Sequence, residues 1–431
     1  MVEPVPQIKI DIELISKMQD PLVSGLLRNI NREYLYWDKV KYKNQEGLSS
    51  FELWSIVKIS RKLYYSTQKF GKYEFRYFST EFIQEMLHYC DMNIGGNMGG
   101  SGFVPEQDKA RYMISSIMEE AISSSKIEGA NTTRKKAKEM LLKETKPKDR
   151  SEQMIFNNYH TIDYISNNYT KDLTVDQLLY IHKLITENTL DNHDEEGCFR
   201  RNNDIFVVNT STSETVHTPP SHDEIPELLK DVCHFFNEED VFIHPIIKGI
   251  IIHFMIAWIH PFSDGNGRTA RSLFYWYLLK KGYWLVEYLS ISRIIQHSKN
   301  QYERAYLYTE NDENDLNYFI TYNLKAMAKA FDTLREYISR KEKEANLTAR
   351  FVRIPGVNER QAFLLKKICD EPDIVFTVKE VENRFAISSF TARSDLNNLV
   401  KMGFLSEIQV NKIKRDFVKS DEFDRLTNKY K

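Results

Sequence analysis

The chain has 431 residues, of which 42% are hydrophobic and 28% charged, and this predicts two or three domains with real cores and excludes a disordered protein. Its 59 Lys and Arg nearly balance 61 Asp and Glu. The net charge of −2 therefore excludes a global attraction to nucleic acid or to an anionic membrane, so that any nucleic-acid contact must be local.

Cysteine spacing and hydropathy indicate the compartment. The four cysteines lie far apart, without CxxC or CxxH spacing, which argues against a zinc knuckle or a disulfide framework. The first residues, MVEPVPQIKIDIELISK, lack the apolar stretch of a signal peptide, and the most apolar segment, Gly249 to Ile259, is too short to span a bilayer. We expect a soluble, cytoplasmic protein with no membrane partner.

Residues 1–105 are expected to form a helical N-terminal region, with helix-compatible segments such as Phe51 to Ser66, and no chemistry is assigned to it. The stretch Asn93 to Phe103 holds five of the sixteen glycines and is predicted to be a loop or linker. It is not a phosphate-binding P-loop, because no Gly-Lys-Ser/Thr follows it.

Apolar residues recur at helical spacing in Glu106 to Leu142 and Val175 to Asn188, and further helices are predicted at 222–237 and 245–260. The first pattern indicates a helix that ends at Gly129, so Glu128 lies at a helix C-terminus, where its charge is unfavourable without a cationic partner. Between the later helices, Asp204 to Thr218 has β-branched runs around a polar tip and predicts a hairpin in a mainly α-helical domain.

The C-terminal part is expected to form a separate domain. A charged linker is predicted at 339–356, followed at 357–431 by three helices and two short strands in the order of a winged helix, with Ser388 or Ser389 capping the third helix. Residues 351–431 carry fifteen Lys and Arg against twelve Asp and Glu, a weak excess for a DNA binder. Contact with DNA and contact with protein are equally compatible with this module.

The most informative segment is HPFSDGNGRTAR, His260 to Arg271. The helix that begins at Pro245 must stop before Pro261, which leaves His260 at its end. The DGNG loop tolerates positive φ, so its backbone N–H groups can form an anion-binding nest, and the next helix adds the positive end of its dipole.

Charged side chains around this loop favour a phosphate ligand. Arg268 and Arg271 lie three residues apart on the first turn of the next helix, where a positive charge opposes the helix dipole. Each costs roughly 0.3–1 kcal/mol of stability unless an anion compensates. Asp264 is a hard oxygen ligand placed for Mg²⁺ on that phosphate. The alternative, an ordinary helix–turn–helix corner, would have to explain all of these residues within twelve positions.

This segment resembles the motif of the Fic (filamentation induced by cyclic AMP) family, H-P-F-x-D/E-G-N-G-R-x-x-R, and the resemblance extends over about residues 106–335. It implies an enzyme that transfers AMP from ATP to a Ser, Thr or Tyr hydroxyl of a protein. His260 would be the general base, Phe262 would be buried, and Asp264 would hold Mg²⁺. The other implied ATP-binding residues of the motif are Gly265, Asn266, Gly267, Arg268 and Arg271.

The same resemblance extends to two further segments. The hairpin would be the flap that binds an extended target segment by strand addition through Ile205, Phe206, Val207 and Val208. Tyr302, in NQYERAYL, would lie near the adenine, although ordinary helix packing is nearly as plausible for it.

Ser124-x-x-x-Glu128-Gly129 resembles the family's inhibitory motif S/T-x-x-x-E-G/N, within an inhibitory helix at about 107–129. By that resemblance Glu128 would pair with Arg271 and occupy the place that the γ-phosphate needs. A solvated glutamate at a helix end is the plainer alternative. In some family members this glutamate supports removal of AMP, which the sequence leaves open.

Three hypotheses follow. The first is an autoinhibited protein adenylyltransferase, the second a DNA-binding regulator whose core senses nucleotide, and the third an enzyme that transfers another nucleotide or phosphate group. Self-modification, a homo-oligomer, the target protein and the releasing signal stay open.

Overall fold

The computed structural model describes residues 2–43, 47–95, 109–208, 215–409 and 415–428. It divides into two compact units, residues 1–334 and 335–431, which are described separately below. Helices dominate the described residues, and the strands form two hairpins and one three-stranded sheet. Within those ranges, none of the helices combines the length and the apolar character that a membrane span requires.

The N-terminal part of the first unit contains a hairpin that we did not predict. Its elements are α1 (Ile12–Lys17), α2 (Pro21–Glu33), α3 (Trp37–Val40), α4 (Ser50–Lys62), β1 (Ser66–Phe70), β2 (Tyr73–Tyr77) and α5 (Glu81–Asn93). The hairpin turns at Gly71, whose φ is +54°, between strands that contain four aromatic residues, Phe70, Tyr73, Phe75 and Tyr77. The region is otherwise helical, as expected.

This N-terminal part is not a separate domain in the structure. Its apolar cluster, which includes Trp37 and Trp54, also contains Tyr318 from much later in the chain. Buried Arg61 donates to the Tyr318 hydroxyl at 2.8 Å, and Lys58 Nζ lies 2.7 Å from Asp312 Oδ1. The expected boundary near residue 105 therefore falls inside one compact unit. Most of the glycine-rich stretch lies outside the described residues.

The rest of the first unit surrounds a central buried helix. Its elements are α6 (Lys109–Ile127), α7 (Arg134–Leu142), α8 (Arg150–Asn168), α9 (Val175–Thr186), β3 (Val207–Val208), β4 (Thr215–His217), α10 (Ile225–Asn237), α11 (Pro245–Ile259), α12 (Asn266–Lys280), α13 (Ile291–His297), α14 (Lys299–Asn311) and α15 (Asn317–Val352). Nearly every residue of α11 is buried, as its apolar sequence predicts. The helical pattern of 106–142 is interrupted after Ile127, where Gly129 adopts a φ of +96°.

The predicted hairpin is present as β3 and β4, which pair antiparallel with Val207 opposite His217. Its tip, residues 209–214, lies outside the described residues. At the base of the return strand, His217 Nε2 lies 2.7 Å from the Trp258 carbonyl of α11, and His217 Nδ1 lies 2.9 Å from Glu310 Oε1. These contacts hold the hairpin against the end of α11.

The second unit has the predicted winged-helix order with one added strand and one added C-terminal helix. It contains α16 (Glu359–Asp370), β5 (Phe376–Thr377), α17 (Val378–Phe385), α18 (Ser389–Lys401), β6 (Leu405–Gln409), β7 (Arg415–Lys419) and α19 (Phe423–Asn428), and the strand order is β5-β7-β6. Ser388 caps α18 by accepting from Thr391 N–H. The wing residues 410–414, with Lys412 and Lys414, lie outside the described residues.

The expected linker at 339–356 is corrected over most of its length, because α15 continues to Val352. Lys, Glu, Ala and Arg are all good helix formers, so a charged segment extends a helix as readily as it forms a loop. Phe351 and Ile354 are then buried in the winged-helix core. The division between the two units falls within α15.

Candidate active site

His260 is presented in an uncommon backbone conformation at the end of α11. Its φ and ψ are 49° and 58°, in the left-handed region, and its N–H donates to Ile256 O at 3.1 Å. The ring nitrogen Nδ1 lies 3.2 Å from Ala257 O, which assigns the ring proton to Nδ1 and leaves Nε2 as an acceptor. Burial lowers the pKa of His260 to about 4, so the imidazole is a neutral base at pH 7.

Arg200, which the sequence did not single out, holds this conformation in place. Its Nε donates to His260 O at 2.9 Å, and its backbone N–H donates to Pro261 O at 2.9 Å. Its other guanidinium nitrogens donate to Asn202 O at 2.8 Å and to Pro220 O. Arg200 therefore joins His260 to both ends of the hairpin segment.

The loop after His260 is closed by the side chain of Asn266. Its Oδ1 accepts from Phe262 N–H at 3.0 Å, and its Nδ2 donates to Phe262 O at 2.9 Å. Only Gly265 of the DGNG stretch has a positive φ, +86°, and α12 begins at Asn266. The first turn of α12 is therefore part of the predicted nest, and Arg271 lies on the second turn rather than the first.

Beneath this loop lies His182 of α9, a second residue that sequence reasoning missed. Its ring stacks on Phe262 with centroids 3.7 Å apart. Nε2 lies 2.8 Å from Asp264 O, and Nδ1 accepts from Gly197 N–H at 3.0 Å, so Nε2 carries the proton. Burial lowers the pKa of His182 to about 4. This neutral histidine fixes the backbone beside the predicted metal ligand; in sequence it is only one polar residue on an apolar helix face.

Asp264 is surrounded by donors. Its Oδ1 accepts from Gly265 N–H at 2.5 Å and lies 3.4 Å from Arg268 Nη2, while its Oδ2 lies 3.3 Å from Arg150 Nη2. Buried Arg268 also donates to Ile185 O at 3.1 Å, and its Nε is without a hydrogen-bond partner among the described residues. Burial lowers the pKa of Arg268. A phosphate would supply both the missing acceptor and the missing negative charge.

The protein side chains of the site can bind Mg²⁺ only together with the phosphates of a nucleotide. Over the described ranges, no group of three or more His, Cys, Asp or Glu side chains is arranged to hold a metal. Asp264 is a single carboxylate that keeps 39% side-chain exposure. Mg²⁺ commonly binds through one or two carboxylates together with substrate phosphates and water, and Asp264 meets that requirement.

Arg271 is paired across the site with the predicted inhibitory motif. Its Nε donates to Ser124 Oγ at 2.9 Å, one Nη2 bond goes to Ser124 O at 3.0 Å, and another goes to Glu128 Oε1 at 2.8 Å. Burial opposes the charge of Arg271, but Glu128, Tyr302 and Glu120 together outweigh it and raise the pKa of the guanidinium. Glu128 at the C-terminus of α6 thus has the cationic partner that its position requires.

Space rather than backbone angle favours glycine at position 267. A methyl group built on it would lie 2.9 Å from Glu128 Cδ and 3.1 Å from Arg271 Nη1. The Glu128 carboxylate therefore rests directly on the first turn of α12, where backbone N–H groups and the helix dipole attract an anion.

The helix α6 that carries Glu128 is fixed by buried polar contacts. Glu120 accepts from Ser292 N–H at 3.0 Å, at the start of α13, and burial raises the pKa of Glu120. On the other side, Asn158 of α8 donates to Ala121 O at 3.3 Å. Glu128 is consequently positioned by the core and not by its own ion pair alone.

The remaining site residues have mixed positions. Tyr302 is buried, and its hydroxyl lies 2.9 Å from His253 Nε2 and 3.2 Å from the Tyr306 hydroxyl, so it packs in an aromatic cluster. Its role near adenine stays a prediction. Ile205, Phe206 and Val207 are partly or largely exposed along the hairpin, and Val208 lies in β3.

Residues 172–278 match the sequence model of the Fic/DOC family. The protein adenylyltransferase fic-1 of Caenorhabditis elegans is 32% identical over 114 residues, which are 26% of this chain and 20% of that protein. Protein adenylyltransferase Fic of Nematostella vectensis is 30% identical over 119 residues, 26% of this chain and 25% of that protein. The match thus spans only about a fifth to a quarter of these relatives' length.

Solved structures show the same fold. A Fic family protein from Desulfovibrio desulfuricans superposes with a TM-score of 0.50 at 20% identity, over 78% of this chain and 96% of that chain. Fic-1 from C. elegans gives a TM-score of 0.53 at 17% identity, over 77% and 88% of the two chains.

Proposed function

We propose that this chain is a Fic family protein and an autoinhibited protein adenylyltransferase, which transfers AMP from ATP to a Ser, Thr or Tyr hydroxyl of a target protein. The observation that carries the proposal is the pairing of Glu128 with Arg271 on the first turns of α12, in the same site as the neutral base His260. The similarity to curated protein adenylyltransferases supports the reaction class.

His260 Nε2 takes the proton of the target hydroxyl. As the hydroxyl oxygen forms its bond to the α-phosphorus of ATP, the bond from that phosphorus to the bridging oxygen breaks, and pyrophosphate leaves. A base with a low pKa is deprotonated at neutral pH, and the hydrogen bond from Nδ1 to Ala257 O keeps Nε2 directed outward. Arg200 fixes the backbone that presents this ring.

The phosphates of ATP would be held by the backbone of Gly265, Asn266 and Gly267 and by Arg268 and Arg271. Mg²⁺, held by Asp264 and the phosphates, would neutralise charge on the leaving group. The unpartnered Nε of buried Arg268 supports an anion at this place. The hairpin would align the target by strand addition, with half-exposed Phe206 available for a side-chain contact.

Autoinhibition follows from competition for Arg271. The carboxylate of Glu128 and a phosphate of ATP both require its guanidinium and the first turn of α12, and they repel one another. ATP can reach its productive position only after Glu128 leaves. Removal of AMP by the same glutamate, and modification of this chain by itself, are further outcomes that the labelling experiment below distinguishes.

The test is transfer of label from ATP labelled at the α-phosphate, with Mg²⁺ and with or without cell lysate. We expect Glu128→Gly to label proteins more strongly than the native chain, and the double variant Glu128→Gly with His260→Ala to label none. Absence of label from all three, with ATP bound, would refute transfer of AMP. Label on the chain alone would identify self-modification, and loss of label from a premodified protein would identify removal.

The DNA-binding alternative concerns the winged helix. Arg393 is exposed on α18, but Asn398 donates to Gly356 O at 3.0 Å within the module, and Phe390 is 82% exposed on the same helix. An exposed aromatic at this place favours a protein contact over DNA. Salt-dependent binding of duplex DNA through residues 388–415 would reverse this preference.

A further inference from the structure

Arg150 lies at the metal side of the site, although no motif contains it. It is the first residue of α8, its side chain is 54% exposed, and its Nη2 lies 3.3 Å from Asp264 Oδ2. Its second carboxylate neighbour is Asp191, whose Oδ1 lies 3.9 Å from Arg150 Nη1. Arg150 thus faces the oxygen of Asp264 that Gly265 and Arg268 leave open.

The two arginines on Asp264 differ in freedom. Arg268 is fully buried and is fixed by Ile185 O, so Oδ1 of Asp264 stays engaged. The side chain of Arg150 is half-exposed, and its other partner, Asp191, is fully exposed. Surface ion pairs of this kind contribute little to stability. Of the two, only Arg150 can leave its oxygen without disturbing the core.

A divalent cation and a guanidinium compete for one carboxylate oxygen. Mg²⁺ requires an oxygen at about 2.0–2.1 Å and a nearly regular octahedron of ligands, which leaves no room for a guanidinium on the same lone pairs. Metal bound at Asp264 Oδ2 would therefore compete with Arg150 for this oxygen, because two cations there repel one another.

We propose that Arg150 is a second inhibitory residue of this site, which covers the Asp264 oxygen that the nucleotide-bound divalent cation needs, just as Glu128 covers Arg271. The inference rests on the proposed function. Two of the charges meant for Mg²⁺-ATP are then matched internally, Arg271 by the anion Glu128 and Asp264 by the cation Arg150.

The two covering residues lie in segments that a hydrogen bond joins. Asn131 N–H, three residues after Glu128, donates to Ser151 Oγ at 3.0 Å, and Ser151 follows Arg150 on the first turn of α8.

The experiment compares nucleotide affinity with and without metal, so that no transfer is needed. The full chain carrying Glu128→Gly binds an ATP analogue with a methylene bridge between the α- and β-phosphates, in EDTA and in saturating Mn²⁺. The ratio of the two dissociation constants measures how strongly metal and nucleotide support each other. Arg150→Gln and Arg150→Lys are added to this background, and Lys146→Gln removes an exposed charge in the segment before α8 as the matched control.

We expect Arg150→Gln to increase the ratio of the dissociation constant in EDTA to that in Mn²⁺ by about 2- to 5-fold. Arg150→Lys should increase this ratio less, and Lys146→Gln should leave it unchanged. An unchanged ratio would overturn the proposal. Weaker binding of the metal-free analogue to Arg150→Gln would also overturn it, because Arg150 would then be a phosphate ligand. Failure of the analogue to bind at all would refute the proposed function together with this inference.

Discussion

Replacement of Glu128 by Gln tests the inhibitory pair without changing its shape. Breaking a buried ion pair costs about 3–5 kcal/mol when the remaining charge is fully desolvated. Arg271 is 3% exposed, but Glu128 is 28% exposed, and Ser124 still accepts from Arg271 in the variant. We therefore expect the free energy of unfolding of the nucleotide-free protein to fall by about 1–3 kcal/mol.

In the proposed mechanism the same energy opposes ATP in the native chain, since a phosphate would have to displace Glu128 before it could pair with Arg271. Removing the charge should strengthen Mg²⁺-ATP binding by about 5- to 150-fold, the conversion of about 1–3 kcal/mol. ADP lacks the γ-phosphate whose place Glu128 is proposed to take, so its affinity should rise less. Urea unfolding with and without nucleotide, and calorimetric titration of ATP and ADP, measure these quantities.

Glu119→Gln is the matched control on the same helix. Glu119 lies within 2.6 Å of Lys138 Nζ and also pairs with Arg134, away from Arg271. Its loss should lower stability without changing the affinity for ATP. The reasoning is refuted if Glu128→Gln leaves both stability and the ratio of ATP to ADP affinity at their native values.

Three further predictions concern the residues around His260. Gly267→Ala should destabilise the protein by about 1–3 kcal/mol, because the added methyl group contacts Glu128. The same change should destabilise the Glu128→Gly variant by less. An equal fall of the melting temperature in the two backgrounds would contradict this. Arg200→Lys, assayed in Glu128→Gly, should lower the transfer rate about tenfold to a hundredfold because the backbone of His260 loses its Nε donor, whereas a native rate would show that the loop needs no such support. His182 has a folded pKa of about 4 against an ordinary 6.5, so the unfolded chain binds its proton first and stability falls as pH drops from 6.5 towards 4. Urea unfolding measures how much the free energy of unfolding falls between pH 7 and pH 5. This fall should be about 2 kcal/mol smaller in His182→Gln than in the native chain, and an equal fall in both would exclude His182 as its source.

The sequence by itself determined the local chemistry of the site. Pro261 forces α11 to end at His260, Gly265 allows the turn, and the helix that follows points its N-terminus at the loop. These are constraints between near neighbours in the chain, and they act in any tertiary context. The winged-helix order and the end of α6 near Gly129 were predictable for the same reason.

Only the tertiary structure decided which distant residues complete the site. Arg200, His182 and Arg150 lie between 60 and 114 positions from the loop atoms that they contact. No local pattern distinguishes a surface arginine from one that folding places on Asp264. Likewise, the sequence predicts Gly267 to be a turn residue. In the structure glycine is favoured there because it leaves space for the Glu128 carboxylate at the end of another helix.

The same physical limit explains the corrections to the fold. The charged stretch after residue 338 has a composition that suits both a helix and a linker, and burial of Phe351 and Ile354 decides for the helix up to Val352. The N-terminal region joins the first unit because its aromatic residues pack with Tyr318. Propensity is local, whereas burial depends on what the rest of the chain brings alongside.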